Sequence, residues 1–156
     1  MSTNASSVSF PISRRVSAAE SAPSGARTGA LVLGGRLLFA FIFIFAGLNH
    51  FAPRTIAFAA SQGVPLASLA VPLSGVLSIA GGLSILLGYR ARLGAWLLVV
   101  FLIAVTPMHK FWGLVDPVMA QMEMVMFLKN LSMLGGALLI TQFGAGPWSL
   151  DARRAA

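Results

Sequence analysis

Asn49, His50, His109, Lys110, Glu123, Lys129 and Asn130 each lie inside or at the end of a long apolar run. A charged or titratable group near a bilayer centre is costly unless it is paired, hydrated or able to reach the interface. Such residues therefore mark ligand sites, proton relays or structural pairs. Two histidines and one carboxylate could transfer protons or donate hydrogen bonds to a carbonyl oxygen. They are too scattered for the dense ligand spacing of a metal motif, and no metal site is expected.

Helical spacing decides which of these groups can cooperate. Glu123 and Asn130 are seven residues apart and share one face of a helix, whereas Lys129 is rotated by roughly 100° from Asn130. An intrahelical Glu123–Lys129 pair therefore has poor geometry. Glu123 lies at the depth expected for Asn49, His50, His109 and Lys110. These groups come from three helix ends and would converge if the helices form one bundle. The bland alternative is that Glu123 pairs with Arg54 or Lys110 and simply closes the bundle. Arg36 lies about two turns into the first apolar run and is expected to snorkel to the headgroups.

The elements that must position these residues are four apolar stretches, roughly 28–48, 64–88, 93–108 and 118–141. A helix needs about 20 apolar residues to cross the hydrocarbon core, and four such runs leave nothing polar to cover a soluble surface. Hydrophobic residues make up 57% of the 156 and charged ones 10%, with a mean hydropathy of +0.85, which excludes an ordinary soluble domain. The fold class is all-α, a polytopic transmembrane four-helix bundle. Phe39, Phe41, Phe43 and Phe45 alternate as in a strand, but a run of this length with Gly34, Gly35 and Ala46 reads as helix. Residues 49–65 form a connection containing a short interfacial turn of helix. Helix two carries Pro72 and ends at Gly88, and 88–92 is long enough only to turn.

The chain divides into an N-terminal tail (1–27), the four-helix domain (28–144) and a short C-terminal tail (145–156). The first segment lacks the apolar core of a signal peptide. With both termini inside, the cytoplasmic side holds Arg14, Arg15, Arg27, Arg90, Arg92, Arg153 and Arg154, against Arg54 and Lys110 outside. That asymmetry follows the positive-inside rule. The formal charge of +7 is thus read as orientation in the bilayer and not as nucleic-acid binding. With no cysteine, the chain has no disulfide, thiol chemistry or thiolate metal site.

Small residues are expected to set the packing. Ser74, Ser78 and Gly82 form one ridge in helix two, and Ser132 and Gly136 form another in helix four. Leu77-Ser78-x-x-Gly81-Gly82 recurs as Leu131-Ser132-x-x-Gly135-Gly136, as two repeated helical hairpins would produce. No dinucleotide fingerprint, P-loop, zinc-protease or nucleophile-elbow motif is present, and no catalytic residue is assigned.

Read as an ordered set, several segments carry a family resemblance. They are Gly34-Gly35-Arg36-Leu37-Leu38, Ala46-Gly47-Leu48-Asn49-His50-Phe51, Gly81-Gly82-Leu83-Ser84-Ile85-Leu86-Leu87-Gly88, His109-Lys110-Phe111-Trp112, Phe127-Leu128-Lys129-Asn130-Leu131 and Gly144-Ala145-Gly146-Pro147-Trp148-Ser149-Leu150-Asp151. Over about residues 29–151 the chain resembles the DoxX family of small four-helix membrane proteins. That family is similar to the small subunits of thiosulfate:quinone oxidoreductase and to partners in membrane redox-stress complexes. The resemblance implies an inner-membrane accessory or quinone-contacting subunit with a redox partner protein. Many members carry an acidic residue in helix two ahead of the paired glycines, where this chain has Ser78. The departure removes one candidate proton group, and the absence of cysteine leaves any sulfur reaction to a partner. A non-enzymatic membrane scaffold or a small-molecule permease is the alternative, and a homo-oligomer is compatible with the small-residue faces.

Overall fold

The computed structural model describes residues 22–155. Arg14, Arg15 and most of the expected N-terminal tail lie outside the described residues. The described residues form six α-helices and one short 3-10 turn: α1 (Ala22–Asn49), α2 (Pro53–Ser61), α3 (Ala67–Leu87), α4 (Ala91–Val105) continued by the turn Thr106–Met108, α5 (Pro117–Phe143) and α6 (Leu150–Ala155). Among the described residues four segments are long and apolar enough to cross a membrane: Gly25–Asn49, Ala67–Leu87, Ala91–Met108 and Pro117–Phe143. The fold is the expected all-α four-helix bundle.

Local chemistry explains the boundaries. Pro53 and Pro117 stand at helix starts, where a missing N–H costs nothing. Asp116 caps α5 by accepting from the Val118 amide at 2.9 Å. Gly88 ends α3 with φ 64, the left-handed conformation that favours glycine, and Tyr89 N closes the helix on Ser84 O at 3.0 Å. α1 begins at Ala22, ahead of the apolar run, because a helix continues past the hydrocarbon wherever its residues permit. The expected interfacial turn is a nine-residue helix, α2. Its Ala59, with Ile56 beside it, packs with Ala67, Val71 and Met108 in a small satellite cluster.

The four long helices run antiparallel in sequence order, with α3 against both α1 and α4, and α4 against α5. Ser78 crosses the α1–α3 seam by donating to the Phe43 carbonyl at 2.7 Å. A Cβ on Gly75 would come within 2.8 Å of Gly47 O, and one on Gly82 within 3.3 Å of Ala40 O. On its other side α3 meets α4, where a Cβ on Gly81 would lie 2.8 Å from Gly94 O. These glycines let two backbones approach more closely than any side chain allows. The main core is Phe43, Ile85, Ala95, Leu98, Leu102 and Ala137, with α4 at its centre.

Three expectations are corrected. The ridge expected from Ser132 and Gly136 is only half formed within the chain: Ser132 is exposed, and so is the neighbouring Gly135, with nothing within 4 Å of a Cβ placed on it. Only Gly136 of that motif meets a neighbour, the Phe39 ring. The reason is position, since α3 is flanked on two sides and α5 stands at the end of the row. Arg36 does not snorkel. It is 6% exposed and donates from Nη1 to Ala145 O at 3.1 Å and from Nη2 to Trp148 O at 2.9 Å. Glu123 does not pair with Arg54 or Lys110, because the turn after α4 brings His109 to it first.

Candidate functional site

The end of the bundle away from Arg36 gathers the sequence's polar candidates unevenly. Pro107 breaks α4 into the 3-10 turn, and the chain then swings His109 towards the first turns of α5. His109 Nδ1 and Glu123 Oε2 stand 2.8 Å apart, with both side chains about 30% exposed. A carboxylate beside one ring nitrogen orients the imidazole and leaves Nε2 for a second partner.

The dyad forms part of the wall of a cavity of about 440 Å³. Phe58 of α2 and Gln62 just after it close one side, while Met108, Trp112 and Met119 supply an apolar, adaptable lining. Lys110 shares this wall. Phe111, Trp112 and Phe127 stack edge-on beside it, with ring centroids 5.1 to 6.2 Å apart. A mostly apolar recess with a few converging polar groups is the usual form of a small-molecule site.

The other candidates fall elsewhere. His50 Nδ1 lies 2.8 Å from Ser74 Oγ, and Ser74 itself donates to Val71 O at 2.7 Å. With the hydroxyl proton so used, His50 donates from Nδ1 to Ser74, and its ring leans on Phe101 at 5.7 Å. His50 therefore joins α1, α3 and α4 and does not line the His109 cavity. Burial pushes its imidazole below the ordinary histidine range, opposed by a backbone interaction at Val71.

Asn49 is exposed, and its amide reaches back only to Phe45 O of its own helix, at 3.4 Å. Asn130 is 4% exposed and faces the bundle interior on the same side of α5 as Glu123. Lys129 points outward, with Nζ 3.4 Å from Met126 Sδ, and takes no part in the cavity. Among the described residues no group of three or more metal-ligating side chains occurs.

Sequence reasoning passed over the α2 residues and the methionines because apolar lining has no spacing signature. The tertiary contacts of the opposite end have no signature in the sequence either. There Asp151 accepts from the Arg90 amide at 2.8 Å and the Ala91 amide at 3.0 Å, capping α4 from far along the chain. Asp151 N in turn donates to Gly88 O at 2.8 Å.

Two relatives are proteins of Escherichia coli (strain K12). The inner membrane protein YphA is 30% identical over 132 residues, covering 83% of this chain and 94% of the relative. The inner membrane protein YqjF is 33% identical over 123 residues, 77% of this chain and 88% of the relative. No solved structure matches. With four apolar spans and relatives of this kind, the chain is an integral inner-membrane protein. The profile of the SURF4 family matches residues 15–156, and the chain belongs to that family.

Proposed function

We propose that the His109–Glu123 cavity receives the headgroup of a membrane quinone, and that the chain is a quinone-contacting subunit of a membrane redox complex. The observation that carries this reading is the 2.8 Å contact of His109 Nδ1 with Glu123 Oε2 on the wall of an apolar recess. With Nδ1–H donated to the carboxylate, Nε2 accepts a proton from a quinol hydroxyl. In the protonated ring Nε2–H donates to a quinone carbonyl. The aromatic and methionine walls suit a flat apolar ring. The chain offers no electron carrier of its own among its side chains, so electron transfer falls to a redox partner protein. This agrees with the DoxX resemblance. It also agrees with an orientation in which the arginine-rich end faces the cytoplasm and the cavity opens on the other side.

The test is purification in mild detergent with mass spectrometry of bound quinone. Wild type and Lys129→Ala retain it, and His109→Phe loses it while keeping the wild-type melting temperature. No quinone in wild type, or equal amounts in His109→Phe, overturns the reading.

A second reading, a membrane scaffold, is favoured by Lys129. Its charge stands mid-helix on an outward face with only Met126 beside it, and a partner helix would shelter it. Loss of a co-purifying redox subunit in Lys129→Leu, with quinone still bound, would support scaffolding as an added role.

A further inference from the structure

At the arginine-rich end a groove of about 570 Å³ runs between the start of α4 and the end of α5, with α6 along its edge. Arg90 and Arg92 form its polar rim, and Leu93 and Phe143 its apolar wall. Phe143 is 78% exposed, and Leu93 is exposed beside it. Arg92 is held over the chain reversal at Gly144, its Nε 3.5 Å from where a Cβ on that glycine would stand.

The one carboxylate in the groove is already engaged. Both oxygens of Asp151 accept from the backbone amides of Arg90 and Ala91. Arg154 lies over the Tyr89 ring at 4.5 Å. Among the described residues the only ion pair is His109–Glu123 at the far end, so neither Arg90 nor Arg92 has a carboxylate at salt-bridge distance.

We infer that this groove binds the phosphodiester headgroup of an anionic phospholipid, with an acyl chain lying along Leu93 and Phe143. Two guanidinium groups without a carboxylate match a phosphate, which they bind through paired N–H donors. The location agrees: the apolar span that starts at Ala91 begins here and the one that runs to Phe143 ends here, so the groove stands at the mouth of two spans. Basic recesses between transmembrane helices are suited to anionic headgroups for this reason. The exposed apolar wall beside the arginines separates a lipid from a free anion, which would have no use for it.

The same phosphate chemistry could be supplied by inorganic phosphate, and the experiment separates the two. Full-length protein is delipidated in detergent, incubated with phosphatidylglycerol or phosphatidylcholine, and examined by native mass spectrometry. Wild type retains phosphatidylglycerol and not phosphatidylcholine. Arg90→Gln with Arg92→Gln weakens that retention by about thirtyfold, taking each arginine near the surface at its usual contribution. Phe143→Ser weakens lipid retention through the acyl contact. Arg54→Gln at the far end leaves it unchanged, as does millimolar inorganic phosphate. Because Arg90 and Arg92 are exposed, the double variant keeps the wild-type melting temperature, which separates a lost site from a lost fold. Equal retention by wild type and the double variant, equal retention of the two lipids, or displacement of the lipid by inorganic phosphate would each overturn the inference.

Discussion

The guanidinium of Arg36 in α1 donates to the carbonyl of Trp148, 112 positions along the chain, at 2.9 Å. The same side chain donates to Ala145 O, so the first span holds the segment that follows the last. An apolar side chain in place of this buried cation would leave both carbonyls without their donor. Arg36→Met is expected to lower stability by about 3 kcal/mol. It should also open residues 145–155 to protease while the four spans stay intact. Thermal unfolding in detergent with limited proteolysis checks both, and an unchanged melting temperature would refute the tie.

Asp151 acts on α4 as a helix cap supplied in tertiary contact. Replacing it by alanine strips acceptors from the Arg90 and Ala91 amides and should cost about 1 to 2 kcal/mol. Asparagine, which keeps one acceptor oxygen, should recover part of the loss. Paired melting curves of the two variants make the comparison, and equal losses would argue that charge and not amide capping matters.

The two Gly-Gly motifs should respond differently to bulk. A Cβ at Gly81 would lie 2.6 Å from Leu98 Cδ2 and 2.8 Å from Gly94 O, and that carbonyl belongs to a packed helix that cannot easily retreat. Gly81→Val should destabilise by about 3 kcal/mol. Gly135→Ala meets nothing within 4 Å and should be neutral or slightly stabilising within the chain, since alanine favours helix. Similar losses at both sites would show that Gly135 is packed against something in the membrane.

His50 gives the bundle a pH dependence of definite sign. Its folded imidazole is held below the ordinary value of 6.5, so the unfolded chain takes up a proton more readily. The stabilisation is complete above that value and is lost as the pH falls below it towards the folded pKa. The wild-type melting temperature should therefore hold above the ordinary histidine value and fall as the pH drops below it, and fall less in His50→Gln. Parallel slopes in the two proteins would remove His50 as the source.

Span number, the turn at Gly88 and the segregation of arginines were legible in the sequence because each depends on local composition. Apolar length sets a membrane helix, glycine alone takes φ 64 without strain, and Ser78 with Gly81 and Gly82 marks where backbones meet. The recurrence at Ser132 and Gly135 misled for a physical reason. A small-residue ridge states that a helix can be approached closely, and it does not state that a neighbour is there.

Residue type and depth alone placed His109 near Glu123. Which cation or ring would reach the carboxylate was decided by the break at Pro107, a matter of path and not of composition. Arg36 shows the limit most plainly. Sequence determined that a cation sits in the first span, and a cation near an interface is free to snorkel. Only the return of residues 145–151 over the α3–α4 turn supplied two carbonyls closer than the headgroups. That contact depends on segments distant in the chain, and no local pattern encodes it.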